Sequence, residues 1–92
     1  MRTIHKFEIH INKDIQPLDI PDEHRYLHVE YLMHKRCIYL WVEVPADMTV
    51  TKAARRFRVF STGDGIPDNG VYVGTCLDPY LPESYHVYEL RD

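Results

Sequence analysis

HRYLHVEYLMHKRCIYLWVEV, residues 24–44, is the stretch that decides the fold. Two β-rich runs flank residues 33–36, which predicts a hairpin with a two- or four-residue loop. Either loop gives one uniformly apolar face, which must face the core because one side of the hairpin has to be buried. The predicted core pairs are Tyr31 with Ile38, Val29 with Leu40, and Leu27 with Val42. The opposite face mixes aromatic and charged side chains, namely Tyr26, His28, Glu30, Cys37, Tyr39, Trp41 and Glu43.

Further short strands are indicated on both sides of this hairpin. Alternation of apolar and polar residues predicts strands over 4–11, 15–20, 55–61, 71–76 and 84–90. Pro17 places the second of these at a sheet edge, because proline cannot donate to a strand ladder. Residues 46–54 form a connector with room for at most one short helical turn. Six or seven short strands predict an all-β domain over residues 1–92, either a small antiparallel sandwich or a partly open barrel.

Composition excludes several classes of protein. The chain has 92 residues and a net charge of −3, with no basic run of the length that duplex nucleic acid would require. No apolar run approaches the ~20 residues that span a bilayer, and the first residues lead into an alternating strand rather than a signal segment. We therefore expect a cytoplasmic protein without membrane contact. Its 45% hydrophobic content and seven tyrosines leave apolar surface for a homo-oligomer.

A second informative stretch is RRFRVFSTGDGIPDNG, residues 55–70. Alternation places Arg56 and Arg58 on one strand face, ~6.6 Å apart along the strand, a spacing that suits phosphate oxygens. The glycine-rich loop that follows leaves N–H groups open to the same oxygens. The alternative is an ordinary turn beside solvated arginines. The candidate ligand-binding residues are Arg56, Arg58, Thr62, Gly63 and Gly65, with Trp41 or Tyr72 stacking on a base.

The aromatic face of the 24–44 hairpin is a second candidate surface. Tyr26, His28 and Tyr39, together with Trp41, could pack against a partner protein or stack on a base. A second sheet could equally cover them. This surface is the predicted partner interface.

Catalysis and metal binding find less support in the residues. Ser61, Thr62 or Ser84 could pair with His86, but no motif fixes their proximity, so no catalytic residue is assigned. His24 and His28 would lie ~13 Å apart on a strand, too far to share one ion. We therefore predict a protein that is not an enzyme and holds no metal or cofactor. In a cytoplasmic protein Cys37 and Cys76 are expected to be free thiols.

Five segments together resemble a family of small phage-encoded proteins of unknown function. They are Thr3–Phe7, Leu40–Val44, Arg56–Val59 running into Thr62–Gly63, Tyr72–Thr75 and His86–Glu89. The resemblance spans nearly the whole chain. It implies a phage origin and, by association, a role in counter-defence inside the host cell.

The expected function follows from combining this resemblance with the arginine and glycine pattern. We expect a phage accessory protein that sequesters a small anionic, nucleotide-type ligand without chemistry. The alternative is a protein–protein inhibitor of a host defence protein, acting through the aromatic hairpin face. A small hydrolase is the third interpretation.

Overall fold

Seven strands form two antiparallel sheets in the computed structural model, which describes residues 1–47 and 49–92. The strands are β1 (Arg2–His10), β2 (Gln16–Pro21), β3 (Arg25–Leu32), β4 (Cys37–Pro45), β5 (Lys52–Ser61), β6 (Gly70–Asp78) and β7 (Glu83–Leu90). Sheet A has the order β1-β4-β3, and sheet B has the order β2-β5-β7-β6. The all-β prediction is confirmed, as two separate sheets compatible with a sandwich rather than a closed barrel.

The described residues contain no helix. The helical turn allowed for in the connector is therefore absent from its described part, and Met48, which belongs to that connector, lies outside the described residues. No helix of the described residues is long and apolar enough to cross a bilayer.

The core is built from apolar side chains of both sheets. Leu40 and Val42 in sheet A and Phe57 and Val87 in sheet B are fully buried. Strict alternation explains this, because every second residue of the central strands β4, β5 and β7 points inward. The core cluster contains Ile9, Ile20, Val29, Ile38, Leu40, Val42, Val44, Phe57, Val59, Cys76, Tyr85 and Val87.

The hairpin of residues 24–44 has a four-residue loop closed by Leu32 and Cys37. Val29 pairs with Leu40 and Tyr31 pairs with Ile38, which confirms the predicted register at these positions. Trp41 lies across from His28 on the outer face, also as predicted.

The predicted pairing of Leu27 with Val42 is wrong. The register of β3 shifts between Tyr26 and His28, so that Tyr26 pairs with Val42. A bulge of this kind adds one residue to one strand and reverses the alternation beyond it. Leu27 is consequently 40% exposed, and Tyr26 turns toward the interior and packs edge-on against Phe57, with ring centroids 5.8 Å apart.

A second bulge interrupts β6 between Tyr72 and Gly74. A Cβ atom at Gly74 would lie 2.6 Å from Cγ2 of Val29, closer than side chains tolerate. Glycine at this position therefore allows β6 of sheet B to lie directly against β3 of sheet A.

Both cysteines are buried free thiols. Burial raises the pKa of Cys76 to about 11 and also raises the pKa of Cys37. Both side chains therefore act as small apolar core residues rather than as nucleophiles.

Candidate functional site

Most of the predicted ligand-binding residues lie together on the outer face of sheet B. Arg58 of β5 pairs with Tyr88 of β7, and Tyr88 pairs in turn with Tyr72 of β6, so the three side chains form a row across the sheet. Arg56 lies two residues before Arg58 on the same face. Thr62, Gly63 and Gly65 follow in the loop that leaves β5.

Trp41 does not belong to this group. It lies on β4 with its side chain on the outer face of sheet A, on the opposite side of the sandwich. The predicted stacking of Trp41 on a ligand held by Arg58 is therefore wrong, because the two residues belong to different sheets. Tyr72 shares the outer face of sheet B with Arg58, and Tyr88 lies between the two in the row across the sheet.

The two arginines of this face are partly engaged by the protein itself. Arg56 Nη2 donates to Asp92 Oδ1 at 2.6 Å and to the Leu90 carbonyl oxygen at 3.4 Å. The guanidinium carbon of Arg58 lies 5.0 Å from the centroid of the Phe60 ring, a cation–π contact. Arg58 Nε is buried without a partner among the described residues. Arg58 Nε is therefore an unused hydrogen-bond donor on this face.

A chain of hydrogen bonds runs beside Arg58. His86 Nε2 lies 2.8 Å from Thr62 Oγ1, His86 Nδ1 lies 2.9 Å from Thr75 Oγ1, and Thr75 Oγ1 lies 2.6 Å from the Tyr72 hydroxyl. This arrangement resembles a nucleophile, a base and an orienting group. The orienting group is an uncharged hydroxyl, however, and stabilises an imidazolium less than a carboxylate would. The chain ties the glycine-rich loop to the sheet.

A groove of about 570 Å³ opens between the β3–β4 turn and the β6–β7 turn. Sequence reasoning did not locate it, because it is formed by loop residues that are distant in the chain. Its walls are formed by three tyrosines, three apolar side chains, one arginine and one aspartate: Tyr31, Tyr80, Tyr85, Ile11, Met33, Leu81, Arg36 and Asp78. It is concave and aromatic and holds a single exposed cation, which is typical of small-molecule sites.

The aromatic wall of the groove is fixed by packing and hydrogen bonds. The rings of Tyr31 and Tyr85 stack with centroids 5.7 Å apart and planes at 29°. Asp78 Oδ1 accepts hydrogen bonds from the backbone N–H groups of Tyr80, at 2.9 Å, and Leu81, at 3.3 Å, which holds the β6–β7 turn. The Tyr80 side chain itself is 72% exposed and offers a free ring face.

Arg36 has an unusual backbone conformation. Its φ of 50° lies in the left-handed region, where glycine is at ease and other residues are strained by about 1–2 kcal/mol. Gly63, with φ of 99°, is the other residue with positive φ in the described chain. A strained arginine at the wall of a groove is the pattern expected where a side chain is kept for binding rather than for stability.

A family model described as a domain of unknown function, DUF7352, matches residues 1–92. The chain belongs to this family. No curated protein and no solved structure matches it. The function of this DUF7352 domain has therefore to be argued from its own residues.

The hydroxyls of Tyr31 and Tyr85 remain protonated at neutral pH. Burial and a 3.0 Å hydrogen bond to Glu83 raise the pKa of Tyr85 to about 12. Burial and the charge of Asp78 raise the pKa of Tyr31. Both hydroxyls are therefore neutral and cannot act as anionic nucleophiles or bases, and the proton of Tyr85 is already donated to Glu83.

A buried ionic cluster around Glu89 in the DUF7352 domain was also not predicted from the sequence. Glu89 is 2% exposed, and its carboxylate accepts hydrogen bonds from the Tyr26 hydroxyl at 2.7 Å, Arg55 Nη1 at 3.0 Å and Arg91 Nη2 at 3.2 Å. Burial opposes ionisation of Glu89, but the three donors outweigh it and lower its pKa. The signal was present, because alternation from Tyr85 and Val87 continues inward to Glu89.

Only some of the residues predicted for the partner interface lie on the outer face of sheet A. The bulge at Leu27 turns Tyr26 into the interior, so its assignment to the interface is wrong. His28 and Tyr39 remain on the outer face of sheet A on either side of Trp41, with ring centroids 5.8 Å and 5.9 Å from it. Tyr39 is largely covered by Lys6, whose Nζ lies 4.5 Å from the ring centroid.

Proposed function

We propose that this domain binds a small anionic, nucleotide-type ligand in the tyrosine groove and releases it chemically unchanged. The observation that carries the proposal is the groove itself, in which Arg36 faces a wall of tyrosines. Its volume of about 570 Å³ lies within the range of small-molecule sites, roughly 300–1,000 Å³.

Each part of such a ligand has a counterpart in the groove. The exposed ring of Tyr80 and the partly exposed ring of Tyr31, which stacks on the buried ring of Tyr85, offer aromatic surface to a planar base. The guanidinium of Arg36 can bind two oxygens of one phosphate at once. This placement moves the proposed site from the outer face of sheet B to the open end of the sandwich.

The groove side chains favour binding over reaction. Asp78 Oδ1 accepts hydrogen bonds from two backbone N–H groups, which gives this carboxylate a structural role in the β6–β7 turn. The raised pKa values of Tyr31 and Tyr85 keep both hydroxyls neutral. These features support recognition by stacking and hydrogen bonding.

We further propose that the ligand is a nucleotide signal of host defence and that the chain acts in the cytoplasm of an infected cell. The support is the resemblance of segments such as Leu40–Val44 and Tyr72–Thr75 to small phage-encoded proteins. A ligand that is held unchanged in a small domain would be withdrawn from its receptor.

One observation favours the second candidate, inhibition of a partner protein. Trp41 lies half-buried at the centre of the outer face of sheet A, flanked by His28 and Tyr39, and such aromatic anchors are common in protein interfaces. The hydrolase interpretation has the 2.8 Å contact between Thr62 and His86 as its support.

The test is isothermal titration calorimetry against a panel of linear and cyclic nucleotides, with three variants. Arg36→Gly should weaken binding by about tenfold or more, because a charge-assisted hydrogen bond contributes about 1.5–3 kcal/mol. Its unfolding free energy should stay within about 1 kcal/mol of the parent, because relief of the φ strain offsets the added chain entropy of glycine. Arg58→Ala and Trp41→Ala, on the two outer faces, should bind like the parent.

The outcomes separate the candidates. Loss of binding in Arg58→Ala with normal binding in Arg36→Gly would return the site to the outer face of sheet B. Chromatography of the recovered ligand should show it intact, and a cleaved product would favour the hydrolase. If no nucleotide binds the parent protein, the proposed function is wrong.

A further inference from the structure

The two sheets have four edges, and three of them carry features that block pairing with another strand. Edge strand β2 contains Pro17 and Pro21. Edge strands β3 and β6 each contain a bulge, between Tyr26 and His28 and between Tyr72 and Gly74. Proline and bulges are the means by which natural sheets prevent edge-to-edge association.

Strand β1 is the fourth edge and lacks these features. It pairs with β4 without a register shift from Arg2 to His10, and it contains no proline. Lysine is another residue that discourages edge pairing, but the Lys6 ammonium is folded back onto its own sheet, 4.5 Å from the centroid of the Tyr39 ring. The outer side of β1 is therefore a straight, accessible edge.

Hydrogen bonds at the two ends of β1 show which backbone groups point outward. The N–H of Ala46 donates to the carbonyl oxygen of Met1 at 3.1 Å, so the odd-numbered residues of β1 face β4. The even-numbered residues consequently face away from it. The Gln16 side chain accepts from the N–H of His10 and donates to its carbonyl oxygen, both at 2.7 Å. These two backbone groups are therefore not available to another strand.

Four residues are left with outward N–H and C=O groups that have no partner among the described residues. They are Arg2, Ile4, Lys6 and Glu8. We propose that these groups pair with β1 of a second copy of the chain, antiparallel and about a two-fold axis. A second copy fits this edge because a single antiparallel register of β1 against β1 pairs the outward groups of all four residues.

That register is fixed by the positions of the free groups. Arg2 must lie opposite the partner's Glu8, and Ile4 opposite the partner's Lys6, so the two-fold axis passes beside His5. Each hydrogen-bonded pair exchanges two backbone bonds. Any other symmetric register leaves one of the four residues unpaired or requires His10, which Gln16 already closes.

Charge supports the same register. Arg2 opposite the partner's Glu8 is a favourable cross-strand pair, and the symmetry repeats it. Arg2 already forms an ion pair with Glu43 in its own sheet, with Nη1 3.1 Å from Oε1. The assembly would carry one continuous sheet in the order β3-β4-β1-β1-β4-β3. It does not depend on the ligand groove, because the groove lies beyond the closed end of β1.

Sedimentation velocity over a range from low micromolar to millimolar concentration tests the proposal. The parent should show a concentration-dependent monomer–dimer equilibrium. Ile4→Pro should abolish the dimer, because it removes an outward N–H without touching the bonds to β4. Asp19→Pro is the matched control. The N–H of Asp22 donates to the Thr51 carbonyl oxygen at 3.0 Å, so the even-numbered residues of β2 face β5 and the N–H of Asp19 points outward. That N–H lies on the edge of β2, where Pro17 and Pro21 already prevent pairing with another strand. That variant should dimerise like the parent.

Charge reversal provides a second test that leaves the backbone unchanged. Arg2→Glu and Glu8→Arg should each weaken the dimer by about tenfold, because each places like charges opposite one another twice. The double variant should recover the parent's dimerisation. A parent that stays monomeric, a dimer that survives Ile4→Pro, or a double variant no better than the singles would each overturn the proposal.

Discussion

Glu89→Ala is expected to lower the free energy of unfolding by about 3–5 kcal/mol. The carboxylate is buried and neutralises Arg55 and Arg91 while accepting the Tyr26 hydroxyl. Removing it leaves the largely buried guanidinium of Arg55 without its counter-charge, and Arg55 Nε already has no partner among the described residues. Urea denaturation at neutral pH measures the loss.

Two further measurements separate the charge of Glu89 from its hydrogen bonds. Tyr26→Phe should cost less, about 1–3 kcal/mol, because the arginines still hold the carboxylate. The pKa of Glu89 is lowered by folding, so its contribution is complete above the unfolded-state pKa of ~4.3 and is lost as the pH falls through the lower folded-state pKa. The parent should therefore lose more stability than Glu89→Gln between neutral and acidic pH.

The exposed carboxylate of Glu23 supplies the control for this cluster. Glu23→Ala should change the unfolding free energy by no more than about 0.5 kcal/mol, as is usual at the surface. A loss below about 1 kcal/mol in Glu89→Ala, or equal acid sensitivity of the parent and Glu89→Gln, would show that the buried cluster is not formed in solution.

Leu40→Ala is expected to lower the free energy of unfolding by about 2–5 kcal/mol. Leu40 is fully buried on the central strand of sheet A, opposite Phe7 on one side and Val29 on the other. Truncation there leaves a cavity between two packed strands. Thermal or urea unfolding at neutral pH gives the value.

Leu27→Ala makes the same chemical change at the bulge of β3. Because Leu27 is 40% exposed, the loss should be no more than about 1 kcal/mol. Comparable losses in the two variants would mean that Leu27 faces the core after all and that β3 has no bulge in solution.

Alternation along the strands predicted the sheet faces wherever the register is regular. It placed Leu40 and Trp41 on opposite faces and Phe57 and Arg58 on opposite faces, because side-chain direction in a strand repeats every two residues. It failed at Tyr26, because a bulge shifts the period by one residue and leaves no reliable mark in the local sequence.

The candidate site was harder to predict than the fold. Arg36 and Tyr80 lie in turns that are far apart in the chain, and their meeting depends on how the two sheets stack. The close packing of β3 against β6 across the sandwich in turn depends on the absence of a side chain at Gly74. Local sequence patterns carry no information about such contacts. The arginine and glycine pattern of residues 55–70 is easily recognised in the sequence, but these residues do not line the groove.

The strand order also limits the rate at which the chain folds. Only the β3–β4 and β6–β7 pairs join strands that follow one another in the chain, whereas β1–β4, β2–β5 and β5–β7 connect more distant segments. Strand β1 can dock on β4 only after residues 11–36 have closed a loop, which costs entropy before any contact is gained. Sandwiches of this kind fold in milliseconds to seconds. We expect stopped-flow refolding in that range, and microsecond folding would show that the non-local pairings do not limit the rate.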